Sequence, residues 1–128
     1  MRKSGALTVK KPNGEDCPVF TTLSLIANKW SIQILEILLR AENNTQRFTQ
    51  LKKALGTITQ RELTKHLREF EKSGIVTRVV FNEMPLRVEY TLTDMGKSLC
   101  EPIEALSSWA EKNGSQIQKM RQKFVEKK

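Results

Sequence analysis

The run Thr59-Gln-Arg-Glu-Leu-Thr-Lys-His-Leu-Arg-Glu-Phe-Glu-Lys-Ser-Gly74, followed by Ile75-Val-Thr-Arg-Val-Val-Phe81, Asn82-Glu-Met-Pro85 and Leu86-Arg-Val-Glu-Tyr-Thr-Leu92, decides the fold. Thr59 and Glu62 have the spacing of a capping box, in which hydroxyl and carboxylate each satisfy a free N–H of the first turn. Leu63, Leu67 and Phe70 then recur on one narrow helical stripe. Gly74 suits the left-handed residue that ends a helix. Residues 75–81 are rich in β-branched side chains, as a strand requires. Asn82 to Pro85 is a turn, after which Leu86, Val88, Tyr90 and Leu92 alternate with polar residues as in a half-buried strand. Upstream, Thr49 is expected to cap a short helix carrying Leu51 and Leu55, with Gly56 as its stop. Two helices joined by a short Gly-containing turn and followed by a hairpin describe a winged helix-turn-helix.

Outside that unit the pattern is helical. Phe20, Leu23 and Ile26 repeat behind Pro18, and Ile34, Leu35, Leu38 and Leu39 give residues 31–41 a wide apolar face. Residues 42–45 read as a polar break. Thr93 or Asp94 starts a long last helix with Leu99, Ile103, Leu106 and Ala110 on one stripe, which Gly114 is expected to break before Ile117, Met120 and Phe124. The expected fold class is α+β, mostly α: a winged helix-turn-helix with a two-stranded wing and extra N- and C-terminal helices for dimerisation. Residues 1–16 are expected to form a flexible arm, 17–114 the domain, and 115–128 a basic C-terminal extension.

The 128 residues are enough for one domain with a core that needs no cross-links. No apolar run approaches the ~20 residues of a membrane span, and the first residues hold no apolar segment of secretory-signal length. Two cysteines make no disulfide framework, which points to a reducing, cytoplasmic setting. His66 is the only histidine and no cysteine pair is close in sequence, so a tetrahedral metal site is not expected; no cofactor is expected either. The net charge of +8 points to a polyanionic partner. Half of that excess lies in residues 115–128, while residues 59–94 carry six basic and six acidic side chains.

That neutral segment can still present a positive face. Arg61, Lys65, Arg68 and Lys72 lie nearly opposite the apolar stripe, with Gln60 and Thr64 beside them near the helix start. Arg pairs bidentately with guanine, Gln with adenine, and Thr meets phosphate or a thymine methyl. Arg78 and Arg87 flank the hairpin turn, where a wing would meet the DNA backbone or minor groove, and Lys29 could reach a phosphate from the second helix. The plainer alternative is a solvated amphipathic helix; the adjoining hairpin favours double-stranded DNA.

Cys17-Pro18, Lys29-Trp30, Arg47-Phe48, Ile58-Thr59-Gln60-Arg61, Leu63-Thr64, Leu67, Gly74 and Pro85-Leu86-Arg87-Val88-Glu89-Tyr90-Thr91-Leu92-Thr93 together resemble the HxlR-type transcriptional regulators over residues 17–110. The resemblance implies a homodimeric winged-helix protein that binds an inverted repeat. The chain departs from the common family pattern at Arg61-Glu62, a difference that bears on the target sequence and not on the fold.

Cys17 precedes Pro18 and so takes the N-cap of the first helix, where the helix dipole favours a thiolate and Glu15 and Asp16 oppose it. A partly exposed thiol there either caps the helix or reacts. The family resemblance implies the second, a sensor of oxidants or electrophiles, and with it a redox or small-molecule effector. His66 reads as a partly buried structural histidine and Cys100 as a buried small hydrophobe. Trp30 and Trp109 read as core or interface residues, Trp109 also as the wall of an effector pocket. The leading expectation is thus a DNA-binding transcriptional regulator. The alternative is a winged-helix module binding RNA or a protein partner without sequence readout. An enzyme is not expected, because no phosphate-cradling Gly loop, metal cluster or nucleophile–base pair is present.

Overall fold

A computed structural model describes residues 17–127, so the arm expected over residues 1–16 lies outside the described residues. The elements are α1 (Pro18–Ile26), α2 (Ser31–Arg40), β1 (Thr45–Arg47), α3 (Phe48–Leu55), α4 (Gln60–Lys72), β2 (Val76–Phe81), β3 (Arg87–Leu92) and α5 (Asp94–Glu126). The winged helix-turn-helix expected from the pattern is present, and its apolar stripes form the core. Leu63, Leu67 and Phe70 of α4 are fully buried against Ile34, Leu35 and Leu38 of α2 and Leu51 of α3 in one cluster.

The two-stranded wing, β2 and β3, is extended into a three-stranded sheet by β1. The sheet order is β1-β3-β2, antiparallel throughout, with Gln46 opposite Tyr90 and Arg78 opposite Tyr90 from the other side. β3 is therefore central, and its inward residues Tyr90 and Leu92 are buried. The segment read as a polar break is a single 3-10 turn, Glu42–Asn44, leading straight into β1. Asn43 and Asn44 take positive φ there, as Asn tolerates better than most residues. The Asn44 side-chain amide donates to the carbonyls of Leu38 and Leu39 at the end of α2. β1 escaped the sequence pattern because three residues are too few to show alternation.

Two helix boundaries differ from expectation. Arg47, not Thr49, is the N-cap of α3, and its backbone N–H is taken up by Gln50 Oε1 at 2.8 Å. Gly114 does not break α5, which runs unbroken over 33 residues. An isolated Gly in a helix interior costs only about 1 kcal/mol, which long flanking helical stretches absorb. Thr93 settles the start of α5: its Oγ1 accepts from the Gly96 N–H at 3.0 Å.

The ends of α4 match the sequence signals. Thr59 Oγ1 accepts from the Glu62 N–H at 3.0 Å and Glu62 Oε1 accepts from the Thr59 N–H at 3.1 Å. At the other end Gly74 has φ +77°, with Ile75 N–H donating to Phe70 O at 2.9 Å and Gly74 N–H to Glu71 O at 3.1 Å. That is the Schellman pattern. The Ile75 carbonyl next accepts from the Thr93 N–H at 3.0 Å and lies within 3.0 Å of the Thr93 hydroxyl. This places the first turn of α5 so close to the α4–β2 junction that a Cβ on Gly96 would collide with the Ile75 carbonyl and with Leu92 Cδ1. Gly96→Ala is accordingly expected to lower stability by about 1–3 kcal/mol, the usual cost of overpacking. A urea-unfolding midpoint unchanged from wild type would show that the junction relaxes at no cost.

Candidate nucleic-acid interface

Ile58 is buried beneath the turn between α3 and α4, and Gly56 takes the positive φ that stops α3. The core stripe of α4 leaves the opposite side exposed, and Gln60, Thr64 and Arg68 follow one another there at one-turn intervals. These three side chains line one wall of an open groove of about 750 Å³. The start of α3 supplies Arg47 and Thr49, and the wing supplies Arg78, Pro85 and Arg87. Helix and wing thus converge on a single concave, cationic surface, with Glu71 and Glu83 as its acidic members.

Of the expected site residues, Gln60, Thr64, Arg68, Arg78 and Arg87 meet in this groove. Arg61 and Lys65 are exposed but lie off it, on the neighbouring side of α4. Lys72, the last member of the basic stripe, is 3.6 Å from Glu69. Lys29 stands apart from the groove, its Nζ 4.9 Å from the centre of the Trp30 ring. Arg47 was legible only as part of the family motif; without β1 to orient it, nothing in the sequence places it beside α4.

Arg87 is held rather than free. Its guanidinium lies 3.9 Å over the Phe81 ring and reaches Glu83 at 3.0 Å and Glu89 at 3.4 Å. Phe81 and Arg87 are cross-strand partners, so this stack closes the hairpin at the base of its turn. Beyond it, Met84 and Leu86 are exposed at the tip. Arg78 has no ion pair among the described residues.

Cys17 occupies the N-cap of α1 as expected, and its carbonyl accepts from the Thr21 N–H and hydroxyl. The partial exposure expected for its thiol is not found, because Cys17 is only 4% exposed. Cys100 is also buried; burial, and secondarily the charge of Glu104, pushes its pKa up. Trp30 is in the core, whereas Trp109 is exposed on α5. Among the described residues no group of His, Cys, Asp and Glu could hold a metal ion, and no helix is long and apolar enough to cross a membrane.

A model of the HxlR-like helix-turn-helix family matches residues 25–118. The chain belongs to the HxlR-like helix-turn-helix family. Among relatives of this HxlR-like chain, the uncharacterised HTH-type transcriptional regulator YdeP of Bacillus subtilis is 40% identical over 106 residues, covering 83% of this chain and 80% of the relative. The solved structure of transcriptional regulator YtfH from Salmonella typhimurium covers 88% of this chain and 97% of its own, at 29% identity and a TM-score of 0.71. The redox regulator HypR in its reduced form gives 35% identity, 79% and 97% coverage and a TM-score of 0.69. This HxlR-like protein is therefore a transcriptional regulator of the helix-turn-helix type.

Two groups on α4 make its stability pH-dependent with the same sign. The Thr59 backbone N–H, chiefly, holds the Glu62 carboxyl below its usual 4.5. Burial, chiefly, holds His66 below its usual 6.5, with Lys65 adding to it. For both, the unfolded chain binds protons first, so stability falls as pH falls. The His66 share is lost from 6.5 downward and the Glu62 share from 4.5 downward. His66→Gln should flatten the upper part of that decline in a melting-temperature series and leave the lower part. A series that rises on acidification would reverse the assignment.

Proposed function

We propose that this chain is a cytoplasmic homodimer that binds an inverted-repeat operator in double-stranded DNA. The observation that carries the reading is the convergence of Gln60, Thr64 and Arg68 with Arg47 and Arg78 on one open groove. α4 enters the major groove and reads base edges with Gln60, Thr64 and Arg68, while Arg61 and Lys65 meet the flanking bases or backbone. Lys29 and Arg47 reach phosphates. On the wing, Arg78 supplies the charge that meets the backbone, and Arg87, already compensated by Glu83 and Glu89, positions the hairpin. Two-fold symmetry sets half-site centres about 34–36 Å apart, or a multiple of it.

The likeness to the redox regulator HypR favours a second element, control through Cys17. With the thiol buried at the N-cap of α1, oxidants or electrophiles reach it only when that helix end opens, and modification then holds it open. Such a change next to a dimer contact alters the spacing of the two reading helices.

Selection from random duplex DNA should enrich a palindrome, with a specificity ratio of about 10³ or more over random sequence. Failure to enrich any duplex, with binding to RNA or to a protein instead, would overturn the reading. Arg68→Ala should cost roughly 1–3 kcal/mol at the operator and much less on random DNA. Arg78→Ala should weaken both and lower the salt slope by about one unit, whereas Arg87→Ala should leave the slope nearly unchanged. Cys17→Ser should keep operator affinity and abolish its response to mild oxidation. A response that persists in Cys17→Ser removes the cysteine from the switch.

A further inference from the structure

The wing changes character along its length. Cross-strand partners share a face, so Arg78 and Tyr90, which line the groove, lie on the same side of the hairpin as Val80 and Val88 two residues further out. Beyond that pair come Leu86, also in the lining of the groove, and Met84 at the turn. Val80, Leu86 and Met84 are 44%, 61% and 96% exposed, so the folded chain leaves much of this apolar strip uncovered. Apolar side chains exposed next to one another, unlike scattered ones, mark a contact surface. Charge ends where the strip begins. Between Arg78 and Tyr90 the one basic residue is Arg87, which is stacked on Phe81 and paired with Glu83 and Glu89. The outer half of the wing therefore offers a phosphate no free cation.

We infer that the tip of the wing is an apolar wedge: Met84, with Leu86 behind it, enters the minor groove beside the half-site, partly unstacks one base step and bends the duplex. This inference rests on the operator binding proposed above and names what the outer wing contributes to it. With Arg78 at the backbone, the strand advances about 13 Å to the turn at Asn82, at about 3.3 Å per residue. That exceeds the depth of the minor groove, about 7.5 Å, so the tip reaches past the sugars to the base edges. Met, Leu and Pro are side chains that proteins insert between base pairs from this groove.

A wedge works only on a stiff support, and the hairpin supplies one. The Arg87 guanidinium, 3.9 Å over the Phe81 ring, closes the two strands directly behind the tip. The same guanidinium holds Glu83, the acid of the turn, at 3.0 Å, which draws that carboxylate back from the tip. Pro85 fixes its own φ between the two wedge residues. A protein socket could take the same side chains. The duplex is favoured because Leu86 and Pro85 line one groove with Gln60, Thr64 and Arg68, and a single DNA surface meets both walls. Unstacking costs least at pyrimidine–purine steps, so the tip selects sequence through deformability, without a hydrogen bond to a base.

A duplex carrying the palindrome selected from random DNA tests this. Labelled at both ends for energy transfer, it should be bent by the full-length protein through about 20–90°. 2-Aminopurine at the minor-groove step that the wing protects from hydroxyl radicals should brighten as it unstacks. Met84→Ala/Leu86→Ala should abolish both signals and weaken operator binding roughly tenfold, at an unchanged melting temperature, since both side chains are exposed. Met84→Leu should retain both signals. The protected step should be TA or CA, and changing it to AA should weaken wild type by a similar factor and the double variant hardly at all. A bound operator that stays straight and stacked, or one bent equally by the double variant, overturns the inference and leaves operator binding standing. If the double variant bends DNA normally but fails in transcription with purified RNA polymerase, the tip is a protein contact instead. Failure of the wild type to bind any duplex would overturn operator binding, and the wedge with it.

Discussion

The carbonyl of Ile75 is the point on which the arrangement of the molecule turns. It follows the Schellman end of α4, begins the wing, and accepts from the Thr93 backbone at the start of α5. Three elements with different tasks therefore meet within one turn of backbone. The fit tolerates no side chain at Gly96, because a Cβ would displace the carbonyl that organises the junction. Packed, hydrogen-bonded contacts of this kind deform little, which fixes α4, the wing and the start of α5 relative to one another. A regulator needs that stiffness if a change at the helices is to be felt in the groove.

Charge in the groove is arranged by pairing as much as by placement. The wing carries two arginines on opposite strands, yet one is sandwiched on Phe81 between two carboxylates. Stacking and ion pairing give Arg87 a fixed orientation and cancel much of its field, while Arg78 keeps a charge that a phosphate can use. On α4, Lys72 is drawn toward Glu69, and Arg68 is the cation of this helix that lines the groove. A count of basic residues would treat these side chains as equivalent; their neighbours make them different.

Most of the fold could be read from residues whose demands are local. The capping box at Thr59 and Glu62, the stop at Gly74 and the stripe of Leu63, Leu67 and Phe70 specify α4 within sixteen residues, and each is found as read. The same local logic failed where a neighbour decides. Thr49 has a cap's side chain, but β1 pairing with β3 fixes Arg47 as the last extended residue before α3. Gly114 has the backbone freedom of a helix breaker, but the helical residues on both sides carry α5 through it.

The candidate site divides in the same way. That α4 would show one apolar and one basic face, and that a hairpin with Arg78 and Arg87 would follow it, was determined by the sequence alone, because helical and strand periods depend only on backbone geometry. Which basic residues share a groove, that Arg47 joins them, that Arg87 is compensated and that the Cys17 thiol is buried were decided by the tertiary structure. Those properties depend on distances between residues far apart in the chain, and electrostatic attraction and solvent exposure are set by those distances and not by order in the sequence.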